Sequence, residues 1–377
     1  MDLNPFVFNR PVEPDQLIDR ESEAARLLEL AEGGHASRLS APRRYGKTSL
    51  LHRVGRDADR IGMNYVEVDF YGALSVTDVI VRMEEAYARL QPPLTRIAMA
   101  AIRALRPKLS VGAGPVRVEA QPVSPEHSGR ILGGLLDLPL ALFERQGART
   151  LVAFDEFQAL LAVGGGIDGL FRSRIQRHGD AASYIFAGSH PGLMEQLFGE
   201  RERPFFDQAR VFRLDPLAAA DLVEFVGLRF EEGRRDATPV LQALIDAAQG
   251  HPQRAMLLAH YLWEQTPRGE TAMPERWQAA LESIFTEHGE ALEATWDALG
   301  ANEQSVLAAF ALGSESLFNE RTLTRFNLSK GGAQHARDKL AHVGHLRIVN
   351  GLWQPVDPLL MEWIVRLEQG VDRRAGG

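Results

Sequence analysis

Short apolar runs alternate with longer stretches of helical period over the first 214 residues. Ala36 to Leu39, Met63 to Phe70, Thr150 to Asp155, Ala182 to Ser189 and Arg210 to Leu214 are short and mostly rich in β-branched and aromatic residues, as strands require. Between them, apolar residues recur at helical spacing over Thr48 to Arg60, Val76 to Leu90, Thr95 to Leu105, Ser128 to Gln146 and Gly169 to Arg177. This alternation predicts a parallel α/β sheet. Residues 106–128 interrupt it, and Val111-Gly112-Ala113-Gly114-Pro115-Val116-Arg117-Val118 reads as a polar hairpin or loose excursion.

Past Asp215-Pro216 the pattern becomes wholly helical. Ala219 to Glu231, Pro239 to Gln249 and Pro252 to Gln265 have no strand between them and suit a helical lid. A hydrophilic linker, Thr266 to Pro274, precedes helical segments at Arg276 to Ile284 and Ala291 to Leu299. Three helices then follow: Asn302 to Leu312 with Asn302 as cap, Glu320 to Phe326, and Lys330 to Val343 capped at Leu328-Ser329. A hairpin from Leu346 to Pro355, turned by Asn350-Gly351, completes the order expected of a winged helix. The expected division is an α/β core over 1–214, a helical lid over 215–290 and a winged-helix domain over 291–377.

Composition narrows the classes. The chain has 377 residues, 45% hydrophobic and 24% charged, which is enough for two or three domains with proper cores. The absence of cysteine excludes disulfides and thiolate metal sites and suits a reducing cytosol. The start, Met1-Asp2-Leu3-Asn4-Pro5, lacks the regions of a signal peptide. The longest apolar candidate, Ile131 to Phe143, is interrupted by Asp137 and Pro139 and is too short to span a bilayer. A cytoplasmic protein with no membrane partner is the expectation. The net charge of −8 argues against a general nucleic-acid coat, and residues 301–377 are close to neutral.

Chemistry concentrates in two places. Ala41-Pro42-Arg43-Arg44-Tyr45-Gly46-Lys47-Thr48-Ser49 joins a strand to a helix, so its backbone N–H groups point at any anion placed there. Lys47 would reach β/γ-phosphate oxygens and the Thr48 hydroxyl would hold Mg2+. The full phosphate-loop pattern has glycine where this chain has Ala41, a substitution that is harmless only if that residue keeps φ below zero. The second place is Thr150-Leu151-Val152-Ala153-Phe154-Asp155-Glu156, a buried strand ended by two acids at the edge where ligands of open sheets sit. Asp155 is placed to hold Mg2+ through water and Glu156 to take a proton from attacking water. The plain alternative is an acidic first turn for a helix beginning near Phe157. His190 and His251 have no partners at ligand spacing, and Trp353, Trp363 and Phe326 suit a winged-helix core.

Together with Asn4-Pro5-Phe6, Ile18-Asp19-Arg20-Glu21-Ser22-Glu23, Gly188-Ser189, Gly250-His251-Pro252 and Asp357-Pro358-Leu359, these pieces resemble the STAND/AAA-type P-loop ATPases of the archaeal-ATPase-like group, relatives of origin-recognition initiators. The resemblance implies a P-loop NTPase sheet with helical lid and C-terminal winged helix. It implies ATP with Mg2+ as ligands, slow hydrolysis, and a nucleotide state that sets lid and winged-helix position. By resemblance the segment bearing Arg20 borders the adenine, Pro252 in the lid element touches base or ribose, Ser189 lies near the γ-phosphate, and Arg254 is a candidate lid sensor. Ser189 also suits a helix N-cap, and Arg254 a surface helix position. Arg201 and Arg203 lie where relatives carry an arginine finger, or form a solvated run. Arg172, Arg174 and Arg177 face either a partner or water. Two rival functions remain: a nucleotide-gated DNA-binding protein using Lys330, Arg337, Lys339 and Arg347, and an ATP-bound scaffold without turnover. Partners would be a protein or DNA at the winged helix, and a second copy in the ATP state.

Overall fold

In the computed structural model, residues 3–105, 125–314 and 316–370 are described. The central sheet has five parallel strands: β1 (Ser37–Ser40), β2 (Asn64–Asp69), β3 (Thr150–Asp155), β4 (Ala182–Gly188) and β5 (Arg210–Arg213), in the order β2-β3-β4-β1-β5. β3 and β4 are buried along their whole length, which is why they read as unbroken apolar runs rather than alternating ones. The register puts Ser40 beside Gly188 and Asp69 beside Asp155, so the strands end at a common carboxyl edge. The excursion expected at Val111 to Val118 falls outside the described residues.

Two cores flank the sheet. One face carries the aromatic residues Phe70, Phe154, Phe157, Phe171, Phe186, Phe198 and Phe205; the other packs Leu27, Leu39, Leu50, Leu51 and Val54 beneath the helices Glu21–Glu32 and Lys47–Arg60. A third core is continuous through the lid and the winged helix, from Phe230 and Trp263 to Leu340 and Trp363.

Local readings shift in four places. The helix expected from Ser128 to Gln146 is two, Pro125–Leu136 and Leu138–Gln146, because Pro139 can sit only in a first turn. The helical segments expected apart at Arg276 and Ala291, on either side of the expected lid boundary, form one helix, Pro274–Asp297, which passes through position 290 unbroken. Gly300, not Asn302, caps the helix Ala301–Ala311, with the Glu303 carboxylate accepting from the Gly300 N–H. The chain's start, placed with the α/β core by order alone, instead crosses to the lid. Phe6 is buried between Phe230 and Trp263, at centroid distances of 5.4 and 5.8 Å, and the Asn4 amide donates to the His260 carbonyl at 3.0 Å.

The C-terminal module has helices Ala301–Ala311, Glu320–Arg325 and Lys330–Val343, then an antiparallel pair, β6 (Leu346–Val349) and β7 (Leu352–Pro355). Asn350 and Gly351 at the turn have φ of 50° and 80°, the left-handed geometry such a hairpin needs. A last helix, Pro358–Glu368, was not anticipated, although Asp357 before proline is a start signal. Trp363 is buried in the shared core, with Trp353 and Phe326 packed against it. Among the described residues, no helix is long and apolar enough to cross a membrane.

Candidate functional site

Three strands deliver the polar groups to one point. β1 runs into the loop 41–46 and the helix Lys47–Arg60; β4 ends at Gly188-Ser189; β3 ends at Asp155-Glu156. Gly46 has φ 82°, a left-handed conformation that lets the loop turn into the helix. Ala41 lies outside that region, so the glycine missing from the first loop position costs nothing.

The Lys47 ammonium donates to Glu156 Oε1 at 3.0 Å and lies 3.5 Å from Asp155 Oδ1. The Thr48 hydroxyl donates to Asp155 Oδ2 at 2.9 Å. The Ser189 hydroxyl donates to Glu156 Oε2 at 2.6 Å, and the Gln158 amide donates to the same oxygen. Ser189 is therefore not the cap of the helix Pro191–Gly199; the His190 ring takes that role.

Glu156 itself is left-handed, φ 51°. The next residue explains this. Phe157 is fully buried, 4.7 Å from the Phe186 ring and 5.3 Å from Phe205, and anchoring it there forces the chain to turn at Glu156. A short 3-10 turn, Phe157–Ala159, follows instead of the regular first turn expected from the acidic pair. Burial works to raise the Glu156 carboxyl, but the Lys47 charge and the hydrogen bonds from Ser189, Lys47 and Gln158 outweigh it and hold the group below its ordinary value.

Beside this cluster lies a cavity of about 460 Å³ between loop, lid and N-terminal segment. Lys47, Thr48 and Ser49 line one wall; Pro252, Arg254 and Met256 of the lid line another; Phe8, Pro11 and Ile18 supply an apolar end. That combination of concave apolar surface and a few convergent polar groups is what small-molecule sites share.

Several expected ligand contacts are otherwise engaged. Arg20 borders the cavity, but its guanidinium is held by Glu23 and by the Asp215 carbonyl, both at 2.6 Å. The Ser49 hydroxyl accepts from the Val12 N–H at 3.1 Å, tying the N-terminal segment to the loop. Pro42 is buried and Arg43 and Arg44 are exposed; neither Pro42 nor Arg43 lines the cavity.

Tyr45 lines the cavity as well, and its buried ring packs against both lid and wing. It meets His251 edge-on at 4.7 Å, and the wing residue Arg347 lies over its face at 4.7 Å. Burial pushes the Tyr45 hydroxyl up to about 12 and the His251 imidazole down to about 3.

Arg254 is buried rather than on the surface. Its Nε and Nη2 donate to the two oxygens of Asp357 at 2.9 and 2.5 Å, a bidentate pair joining lid to winged helix. Asp357 Oδ1 also accepts from the Leu359 N–H, capping the last helix. His342, at the end of the helix Lys330–Val343, meets His190 at 5.4 Å. None of these contacts has a sequence signal except the cap at Asp357.

The remaining basic residues are mostly partnered. Arg203 faces Asp168 at 3.4 Å, while Arg201 is exposed. Arg172 bonds Gln208 and Arg174 bonds Asp137, both at 2.7 Å; Arg177 is exposed. In the winged helix Lys330 is exposed, Arg337 pairs with Asp338 and lies over Trp353, Lys339 donates to Glu303 at 2.5 Å, and Arg347 faces the loop. Among the described residues no cluster of His, Asp and Glu has the form of a metal site built from protein ligands alone.

The sheet order, the strand–loop–helix unit and the C-terminal winged helix define a P-loop NTPase fold. No family model matches the sequence, and no curated protein matches it either. Solved structures do. A Walker-type ATPase of Pyrococcus abyssi superposes with a TM-score of 0.68 at 18% identity, covering 96% of this chain and 99% of that one. The ORC2 protein of Aeropyrum pernix, in complexes with ADPNP and ADP, gives 0.57 at 17% identity, covering 97% and 98%. At such identities the likeness is one of fold.

Proposed function

We propose that this protein is an ATP-binding switch that hydrolyses ATP slowly and whose nucleotide state sets the position of lid and winged helix. The observation that supports it most is the meeting of Lys47 with Asp155 and Glu156 at 3.0 to 3.5 Å beside the cavity. The nucleotides bound in the Aeropyrum pernix structure point the same way.

Lys47 and the N–H groups opening its helix would hold the phosphates. Thr48 and Asp155 fit Mg2+: both are hard oxygen donors, Thr48 would hold the ion through its hydroxyl and Asp155 through water, and the two side chains already meet at 2.9 Å. The ion, when bound, would neutralise charge on the phosphate oxygens. Glu156 would take the proton from attacking water, Ser189 would orient the end of the phosphate chain, and the apolar end of the cavity would take the base.

Movement is supported by the contacts that meet at the loop. Arg254 lines the cavity and grips Asp357, while Tyr45 of the loop carries Arg347 of the wing. A ligand that draws on Arg254 or reshapes the loop would alter both, which is the differential contact a two-state switch needs. Arg337, Lys339 and Arg347 are engaged within the protein, so a protein partner at the winged helix is favoured over DNA.

Glu156→Gln is expected to keep nucleotide affinity while lowering hydrolysis about 100-fold. An unchanged rate would remove Glu156 from the chemistry. Duplex DNA binding at low salt that weakens as salt rises would favour the DNA reading instead.

A further inference from the structure

We infer that His288 selects the base: its ring nitrogen Nδ1 accepts from the 6-amino group of adenine and turns away a 6-oxo purine. This rests on the nucleotide reading of the cavity. His288 comes from the helix Pro274–Asp297, beyond the lid helices, and lines the cavity. Its ring meets Phe8 edge-on at 6.2 Å, which places it at the apolar end. Hydrogen bonding fixes which proton that ring carries. The Tyr261 hydroxyl has a single proton and donates it to Glu287 Oε2 at 2.6 Å, because a carboxylate can only accept. His288 Nε2 lies 3.1 Å from the same hydroxyl, whose oxygen has only lone pairs left to offer. Nε2 therefore carries the proton, and in the neutral ring Nδ1 is an acceptor. Among the described residues Nδ1 has no hydrogen-bond partner. Burial and the nearby charge of Arg254 hold the imidazole below its ordinary pKa against the pull of Glu287, which keeps the ring neutral.

Few ligand groups suit such an acceptor. Phosphate oxygens are acceptors themselves, and the wall that would hold them carries Lys47 and Thr48. A nucleoside offers donors at its sugar hydroxyls and on its base. The surroundings choose between them: Phe8, Pro11 and Ile18 beside His288 suit a flat ring rather than a hydroxylated sugar. No carboxylate lines the cavity, so an amino group there has no charged acceptor to draw it away from Nδ1. Adenine carries a donor at C6. Guanine and hypoxanthine carry an oxo group at that position, which would set one acceptor against another and leave both unpaired away from water.

The test is calorimetric titration of the full chain with ADP and with inosine diphosphate, which differ only in the group at C6 and a proton on N1. The wild type is expected to bind ADP about tenfold or more tightly than inosine diphosphate. His288→Phe keeps a ring and removes the acceptor. It is expected to weaken ADP about three- to tenfold while leaving inosine diphosphate within about twofold, so the preference shrinks. His288→Asn sets a carbonyl oxygen close to the place of Nδ1 and is expected to restore most of it. Tyr261→Phe removes the hydroxyl that fixes the ring proton, so Nδ1 can donate. It is expected to narrow the preference by improving inosine diphosphate binding, and it leaves residue 288 untouched should the other variants fold poorly. A preference that survives both His288→Phe and Tyr261→Phe, or an equal loss of both ligands in His288→Phe, overturns the role of His288. A wild type that binds the two diphosphates alike also overturns it, with the nucleotide reading left standing. A wild type that binds neither overturns that reading as well.

Discussion

The carboxyl edge of the sheet and the seam between lid and winged helix both bury charge, yet they are built differently. At the sheet edge Lys47 is shared between two carboxylates and opens onto a cavity of about 460 Å³. At the seam Arg254 and Asp357 satisfy each other bidentately, and nearby Arg347 of the wing lies over the ring of Tyr45 in the loop. Ion pairs beside a cavity can hand their charge to a ligand; pairs sealed between domains fix where the domains sit. Because Arg254 touches both, the two regions are coupled.

The largest effect is expected from Lys47→Ala. It leaves the buried Asp155 and the partly buried Glu156 without their cation, so the ligand-free protein should lose about 3–5 kcal/mol. Nucleotide affinity should fall about 100-fold or more in calorimetric titration. A stable variant that still binds ADP would dissolve the distinction between the two regions.

Arg254→Met is expected to cost about 2–3 kcal/mol in chemical denaturation, because it removes a buried guanidinium and leaves the partly buried Asp357 without its cation. Adding Asp357→Leu should recover part of the loss, although the cap on the last helix goes with it. Small-angle scattering should show the single variant more extended. No change in either measurement would mean the seam is held by its apolar core alone.

A third probe is pH. The His251 ring is buried and its pKa is depressed to about 3 from an ordinary 6.5. The unfolded chain therefore binds more protons below pH 6.5, so stability falls as pH drops through that value and keeps falling toward pH 3. Between pH 6.5 and 5 the His251 share is about 1.6 kcal/mol, since the slope reaches 1.36 kcal/mol per unit only once the unfolded imidazole is fully protonated. His251→Asn keeps a capping acceptor without the titrating ring. Its stability profile should be shallower by that amount, and parallel profiles would count against a buried neutral His251.

The smallest effect should come from Arg347→Ala, about 1 kcal/mol for a cation over an aromatic face. Its value is diagnostic: if lid and winged helix move with nucleotide, the ADP- and ATP-bound forms should differ in scattering less in this variant than in wild type.

Much of the architecture was legible because the physics is local. Buried strands leave apolar runs, glycine-lysine-threonine at a strand-to-helix joint leaves its mark, and Asn350-Gly351 announces a hairpin. Lys47, Thr48, Asp155, Glu156 and Ser189 were nameable as a group because parallel strands end at one edge, so residues after β1, β3 and β4 have to meet. Pro139 was visible as an interruption, but whether it kinks or restarts a helix depends on the neighbours it packs against.

What tertiary structure alone decided are the pairings between distant segments of the chain. Nothing local says that Phe6 leaves the sheet for the lid, that Arg254 is buried on Asp357, or that Arg347 faces Tyr45 rather than solvent. An arginine on a helix reads the same whether it meets water, a phosphate or a carboxylate 103 residues away. Its partner is chosen when the shared core of lid and winged helix closes around it, since a charge taken from water has to be matched by whichever opposite charge or donor the packing brings near.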